Sequence, residues 1–258
     1  MGLLAMIAVL PKLASAHEFW LDPVDFAPKV GDEVPIVQRT GINFLGDSFP
    51  HVQQMSKRFS VVDARGERPI KAVDGDDPAA DAIFPNAGLA IVVYERAPDI
   101  VTHPTVDRFA EIVASEGLED ISRQHREQGL PPTDIKETYA RFAKSLIKVG
   151  KSSNVDRAVG LALELIVEAD VYKLPANADL PVRILQWGKP VGNVLVKAFN
   201  LADKSSPRTA RSDAEGRVIL AGVPSGDVLI SAVTMFRAEP ATGAVWTSLW
   251  ASTTFKRP

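Results

Sequence analysis

Apolar residues in this chain come in short alternating runs, each cut off by glycine, proline or aspartate, and that punctuation restricts the fold to packed β-sheets. Between His17 and Thr102 the runs are HEFWLDP, VGDEVPIVQRTGIN, FSVVDARGERPIKAV and GLAIVVYER. In the third, Asp63-Ala64-Arg65-Gly66 separates two strand-like halves, so Phe59 to Val73 is predicted to be a hairpin. From Arg157 the period of two returns in LALELIVEA and LPVRILQWGKPVGNVLVKAFN, with Gly188 and Gly192 flanking a turn. Two polar turns follow, Arg211 to Arg217 and Pro224 to Asp227, leading into VILAGV and VLISAV. The last run, Trp246 to Phe255, places Leu249, Ala251, Thr253 and Phe255 on one face and Ser248, Trp250 and Ser252 on the other.

Between Thr105 and Lys148 the period becomes helical. Val106, Phe109, Ile112 and Val113 share one face, and Gly117 is the stop. After the polar stretch LEDISRQHREQG, a second helix is predicted with Thr133 as N-cap and an apolar face of Ile135, Tyr139, Phe142 and Leu146. The expected fold is therefore mainly β: two β-sandwich domains, immunoglobulin-like or transthyretin-like, over 17–104 and 151–258. A helical insertion over 105–150 is expected between them.

Residues 1–16 read as a signal peptide. MGLLAMIAVLPKL is too short an apolar run to span a bilayer, and Ala14-Ser15-Ala16 has the small-x-small pattern of a cleavage site. Cleavage after Ala16 makes His17 the first residue of a periplasmic or secreted protein, and no later stretch is apolar enough to be a transmembrane segment. With 29 Lys and Arg against 32 Asp and Glu, the net charge of -3 gives no reason to bind nucleic acid. The chain has no cysteine, which leaves nitrogen, oxygen and methionine sulfur as the donors for any metal.

Two resemblances rest on longer motifs. GKPVGNVLVKAFN, SDAEGRVIL and PSGDVLISAV resemble the repeating unit of transthyretin-like and carboxypeptidase-regulatory-like modules, which implies a largely non-catalytic sandwich. HEFWL, DGDDPAA, ASEGLEDI, YARFAKSLIKVG, LELI and WTSLWASTTF, in this order, resemble an exported bacterial domain-of-unknown-function family formerly labelled a NikM-like nickel-uptake component. This second resemblance implies a soluble periplasmic accessory to uptake, with an inner-membrane metal transporter or another envelope protein as partner.

The chemistry expected of the residues agrees with that label. Once the chain is cut, the α-amine and Nδ1 of His17 can chelate one nickel, cobalt or copper ion in a six-membered ring. A third donor is sought among the remaining histidines, His51, His103 and His125. His51 and His103 are the candidates, against the alternative that each is an ordinary surface histidine. His125 lies between Arg123 and Arg126, where neighbouring cations disfavour a metal ion. Strand alternation turns Glu18 to the face opposite His17. Asp74, Asp76, Asp77 and Asp81 lack the spacing of a calcium loop and read as a solvated turn, and Met55 and Met235 as core filling. Phe44 to Ser48 resembles a GDS esterase segment, yet no histidine follows His125 to act as its base. Without GxSxG, Walker, GxGxxG or HExxH motifs, the expectation is a protein that is not an enzyme. The alternative to metal handling is a non-catalytic interaction module that binds an envelope protein or a glycan.

Overall fold

The computed structural model describes residues 18–151, 154–203 and 207–258. The first half contains β1 (Glu18–Pro23), β2 (Glu33–Ile42), β3 (Leu45–Phe49), β4 (Ser56–Asp63), β5 (Gly66–Pro69), β6 (Ala80–Ile83) and β7 (Gly88–Arg96). β8 (Asp99–Thr105) leads into α1 (Val106–Ser115) and α2 (Glu119–Glu127), which return to the longest strand, β9 (Thr133–Val149). The second half contains β10 (Leu163–Val167), β11 (Leu180–Gln186), β12 (Lys189–Pro190), β13 (Leu195–Asn200) and β14 (Arg208–Arg211). It ends with β15 (Arg217–Leu220), β16 (Gly226–Arg237) and β17 (Trp246–Arg257).

The fold is mainly β, and its two sandwiches share a sheet. A nine-stranded sheet runs β14-β13-β16-β17-β9-β7-β4-β5, with β8 pairing β9 off that path. Two four-stranded sheets cover its faces: β1, β2, β3 and β6 on one, and β10, β11, β12 and β15 on the other. The alternation of β7 shows how this works. Leu89, Ile91 and Val93 enter the core shared with β10 and β11, while Ala90, Val92 and Tyr94 enter the core shared with β1 and β2. A strand covered on both faces needs a nearly continuous apolar run, which GLAIVVYER is.

β9 corrects the predicted second helix. Ile135, Tyr139, Phe142 and Leu146 fit one helical face, but in an extended chain the first two and last two fall on opposite faces of a strand. Both faces are buried here, and β7, β8 and β17 pair along the length of β9, so three partners settle what the period leaves open. The apparent cap is part of the same correction, because Asp134 has φ 52° and turns the chain into the strand instead of opening a helix. The helical part of 105–150 is thus confined to α1 and α2, and the polar stretch LEDISRQHREQG supplies α2. Thr105 caps α1 by accepting a hydrogen bond from Arg108 N at 3.2 Å, and Gly117 follows with φ 72°. Phe109, Val113 and Ile121 from the helices pack on Ile135 and Trp246, closing the end of the sheet where β9 and β17 begin.

The predicted hairpin forms between β4 and β5, with Asp63 opposite Gly66. Another joins β2 to β3 through Asn43 (φ 55°) and Phe44 (φ 63°), the left-handed pair of a type I′ hairpin turn. Phenylalanine is a poor fit to that conformation. Burial of its ring edge-on to Trp20, 5.5 Å between centroids, offsets the cost. Gly41 and Gly46 face each other behind this turn, and a Cβ on Gly46 would lie 2.2 Å from Thr40 O. Gly46→Ala is expected to destabilise the protein by about 1–3 kcal/mol, measured by urea unfolding.

Candidate functional site

β1 starts beside a cleft of about 450 Å³ whose walls come from elements far apart in sequence. Ile42 and Asn43 from the β2–β3 turn form one side, α1 another, and Leu195, Lys197 and Phe199 of β13 the floor. Glu18, the first described residue, opens into it although only 7% exposed. Its neighbour Trp20 explains the placement, since Trp20 is packed against Phe44, Phe199 and Leu229, and residues 18 and 20 share a strand face. Burial pushes the Glu18 carboxyl above its usual range, and the nearby Glu116 adds to the shift. Lys197 Nζ donates to Glu116 Oε2 at 2.7 Å in a nearly buried pair, and Arg108 pairs with Glu111 at 2.8 Å on the exposed side. The cleft thus offers carboxylates with cations already among them.

His17 lies outside the described residues. His51 and His103 do not meet, and neither is the surface histidine that was the alternative. The His51 ring, 1% exposed, stacks on Phe59 at 6.0 Å and has its Nε2 3.2 Å from Gln53 Oε1. Its Nδ1 has no hydrogen-bond partner among the described residues. His103, 3% exposed, has its Nε2 2.7 Å from Glu137 Oε2. Phe59 lies level with Tyr94 and Ala143, whereas His103 lies level with Ile135. Eight residues of β9 separate those levels, roughly 26 Å at the rise of a strand. Among the described residues no group of three or more His, Asp or Glu side chains is arranged to hold a metal ion.

The other candidates are structural. His125 is buried, with its Nε2 2.8 Å from Pro131 O and its Nδ1 accepting from Trp246 Nε1 at 3.0 Å. Asp74 Oδ1 accepts from Gln53 N at 2.8 Å and Asp76 O from His51 N at 2.9 Å, so the acidic run is a turn that holds the His51 loop. Met55 Sδ accepts from Arg96 Nη2 at 2.9 Å, and Met235 packs beside Trp246. Phe19, Trp20 and Trp246 are core, while Trp187 stands 60% exposed. The cleft around Glu18 was not visible in sequence because α1, β13 and β1 carry its groups separately. The one local hint was a Glu two residues before a Trp at the head of a strand.

These features define a mainly β protein of the sandwich class, with a helical pair at one end and a polar cleft where its first described strand begins. The chain belongs to the domain-of-unknown-function family DUF4198, whose model matches residues 14–235. No curated protein matches it. Among solved structures, the D0-D1 domain of intimin is 14% identical, with 93% of this chain and 97% of that one covered and a TM-score of 0.22. The ligand-binding domain of human OSCAR is 13% identical, with 94% and 100% covered and a TM-score of 0.22. What those proteins bind is no guide to this one.

Proposed function

We propose that the protein, cut after Ala16, is a periplasmic accessory in transition-metal handling that carries nickel, cobalt or copper as cargo on the α-amine and Nδ1 of His17. The observation that supports this reading is the cleft at the head of β1, next in sequence to His17, whose α1 wall carries the carboxylates of Glu111 and Glu116; Glu18, on the strand face opposite His17, is not a ligand in this reading. Nitrogen donors joined by carboxylate oxygen suit the later first-row divalent ions. His51 and His103 take no part in this version of the site, because each is buried elsewhere against its own partners. The resemblance to NikM-like nickel-uptake components points the same way, with an inner-membrane metal transporter as the recipient.

The test is N-terminal peptide sequencing of periplasmic protein, followed by calorimetric titration with nickel and with copper. A chain beginning at His17 is expected to bind one ion, and at least tenfold less tightly in the His17→Ala variant. The same loss is expected when an extra alanine precedes His17, since that removes the α-amine from the chelate. A different first residue, or equal binding by all three forms, overturns the proposal.

One observation favours the second reading, a non-catalytic module for an envelope protein or glycan. Trp187 is displayed at the β11–β12 turn with φ 50°, its ring braced edge-on by Phe236 at 5.3 Å. An exposed indole supported from behind is a surface on which a sugar face can stack. Binding to a periplasmic glycan that Trp187→Ala abolishes and His17→Ala leaves intact would favour this reading.

A further inference from the structure

Lys144, Asp156 and Glu164 meet in the interior with side chains 1%, 0% and 2% exposed. Lys144 extends from β9 on the side of Phe142 and Leu146, whose apolar surroundings exclude water. Its Nζ lies 3.0 Å from each carboxylate oxygen of Asp156, 3.2 Å from Glu164 Oε1 and 3.3 Å from Arg157 O. With both oxygens at that distance in a two-pronged contact, the carbon between them is about 3.3 Å from the nitrogen, within the separation at which the two atoms can react once the carboxyl turns its face to the amine.

The surroundings hold all three groups in place. Asp156 accepts from Arg157 N at 2.7 Å and from Val167 N at 3.0 Å, and Glu164 accepts from Val159 N at 2.7 Å and Gly160 N at 3.1 Å. The loop between β9 and β10 is itself tied to the β4–β5 hairpin, by Arg58 Nη1 to Val159 O at 2.9 Å and Arg157 Nη2 to Asp63 O at 2.8 Å. Two carboxyl groups around one ammonium cannot both be ionised without leaving excess charge in the core, and such a cluster is no better for stability than apolar residues of equal volume. Its composition is instead that of an amide-forming centre: an amine, a carboxyl carbon to receive it, and a second carboxylate within reach of the same protons.

We propose that Lys144 and Asp156 are joined by an intramolecular isopeptide bond, with Glu164 carrying the protons. Lys144 hands one ammonium proton to Glu164, and the freed lone pair of Nζ attacks Cγ of the protonated Asp156. A second proton leaves the nitrogen and, relayed by Glu164, arrives on the departing hydroxyl. The C–O bond breaks as the C–N bond is completed. The products are one amide and one water, the Asp156 proton leaving within the water and Glu164 left holding one of the two protons that the lysine nitrogen gave up, so no oxidant or cofactor is needed. Burial favours this course by holding Asp156 above the usual carboxylate range, toward the neutral acid that is the better electrophile.

The experiment is intact-mass measurement of the natively purified full chain, with a peptide map of the same sample. The expected mass is about 18 Da, one water, below that of the unmodified sequence, and the map is expected to join the Lys144 peptide to the Asp156 peptide. Lys144→Arg and Glu164→Gln are expected to restore the full mass. A folded wild-type protein at full mass overturns the proposal, as does a mass deficit with the two residues in separate peptides. A bond that forms at full yield in Glu164→Gln overturns the role given to Glu164. The wild-type mass decides the main point even if a variant fails to fold.

Discussion

Ile91→Ala and Ile147→Ala are each expected to lower the unfolding free energy by about 2–5 kcal/mol and to do so through one transition. The two side chains sit on adjacent strands of the nine-stranded sheet, both fully buried, yet they point to opposite faces. Ile91 enters the core under β10 and β11, and Ile147 the core under β1 and β2. If the sandwiches were separate domains, each substitution would weaken one and spare the other, and two transitions would appear. Because β7 and β9 belong to both, losing either core exposes the far face of the same strands. Urea unfolding followed by circular dichroism and by tryptophan fluorescence tests this, with coincident curves expected for both variants. Ile219→Ala, at a position 61% exposed, is the control and is expected to change stability by less than about 0.5 kcal/mol. Separated transitions in either core variant would show that the shared sheet does not couple the two layers.

This coupling also explains what could be read from the sequence and what could not. Strand content was legible because turns are local: Asp63 to Gly66 and Gly188 mark reversals that the chain makes. β9 was misread because its apolar positions satisfy two periods at once, and the choice between them lies in β7, β8 and β17, which pair with it in space while none is next to it in sequence. β17 shows the same limit in another form. Its alternation was read correctly, with Leu249, Ala251 and Phe255 in the core, but nothing local places the final strand in the middle of the sheet, parallel to β9. The histidines went further astray. Polarity made His51 and His103 look like surface residues or ligands, whereas a ring stacked on Phe59 and a ring paired with Glu137 are ways of burying an imidazole. Glu137 and Lys144 on a strand, and Glu116 at the end of a helix, gave no sequence signal because a charged residue is normally a solvated one.

Glu137→Ala is expected to cost about 3–5 kcal/mol, because it strands donors that have no other acceptor in reach. Glu137 accepts from Ser248 Oγ through one oxygen and lies 2.7 Å from His103 Nε2 through the other, and Ser248 Oγ in turn accepts from Trp250 Nε1 at 2.8 Å. Both members of the His103–Glu137 pair have side chains 4% exposed, so solvent does little to screen what is lost. The glutamine variant keeps an acceptor for one partner but presents an amide to the other, and a smaller loss of about 1–3 kcal/mol is expected in urea unfolding. The consequence reaches the helices. Phe109 of α1 lies 5.2 Å from the His103 ring and 6.4 Å from Trp246, so the same carboxylate fixes the surface on which the helical pair is seated. Amide hydrogen exchange over α1 and α2 is therefore expected to rise in Glu137→Ala by more than the global loss accounts for, while β7 follows the global value. Uniform acceleration across helices and sheet would mean that the carboxylate stabilises the whole fold without singling out the helical end. Selective acceleration would show that one buried acid holds α1 and α2, and with α1 a wall of the Glu18 cleft, in position.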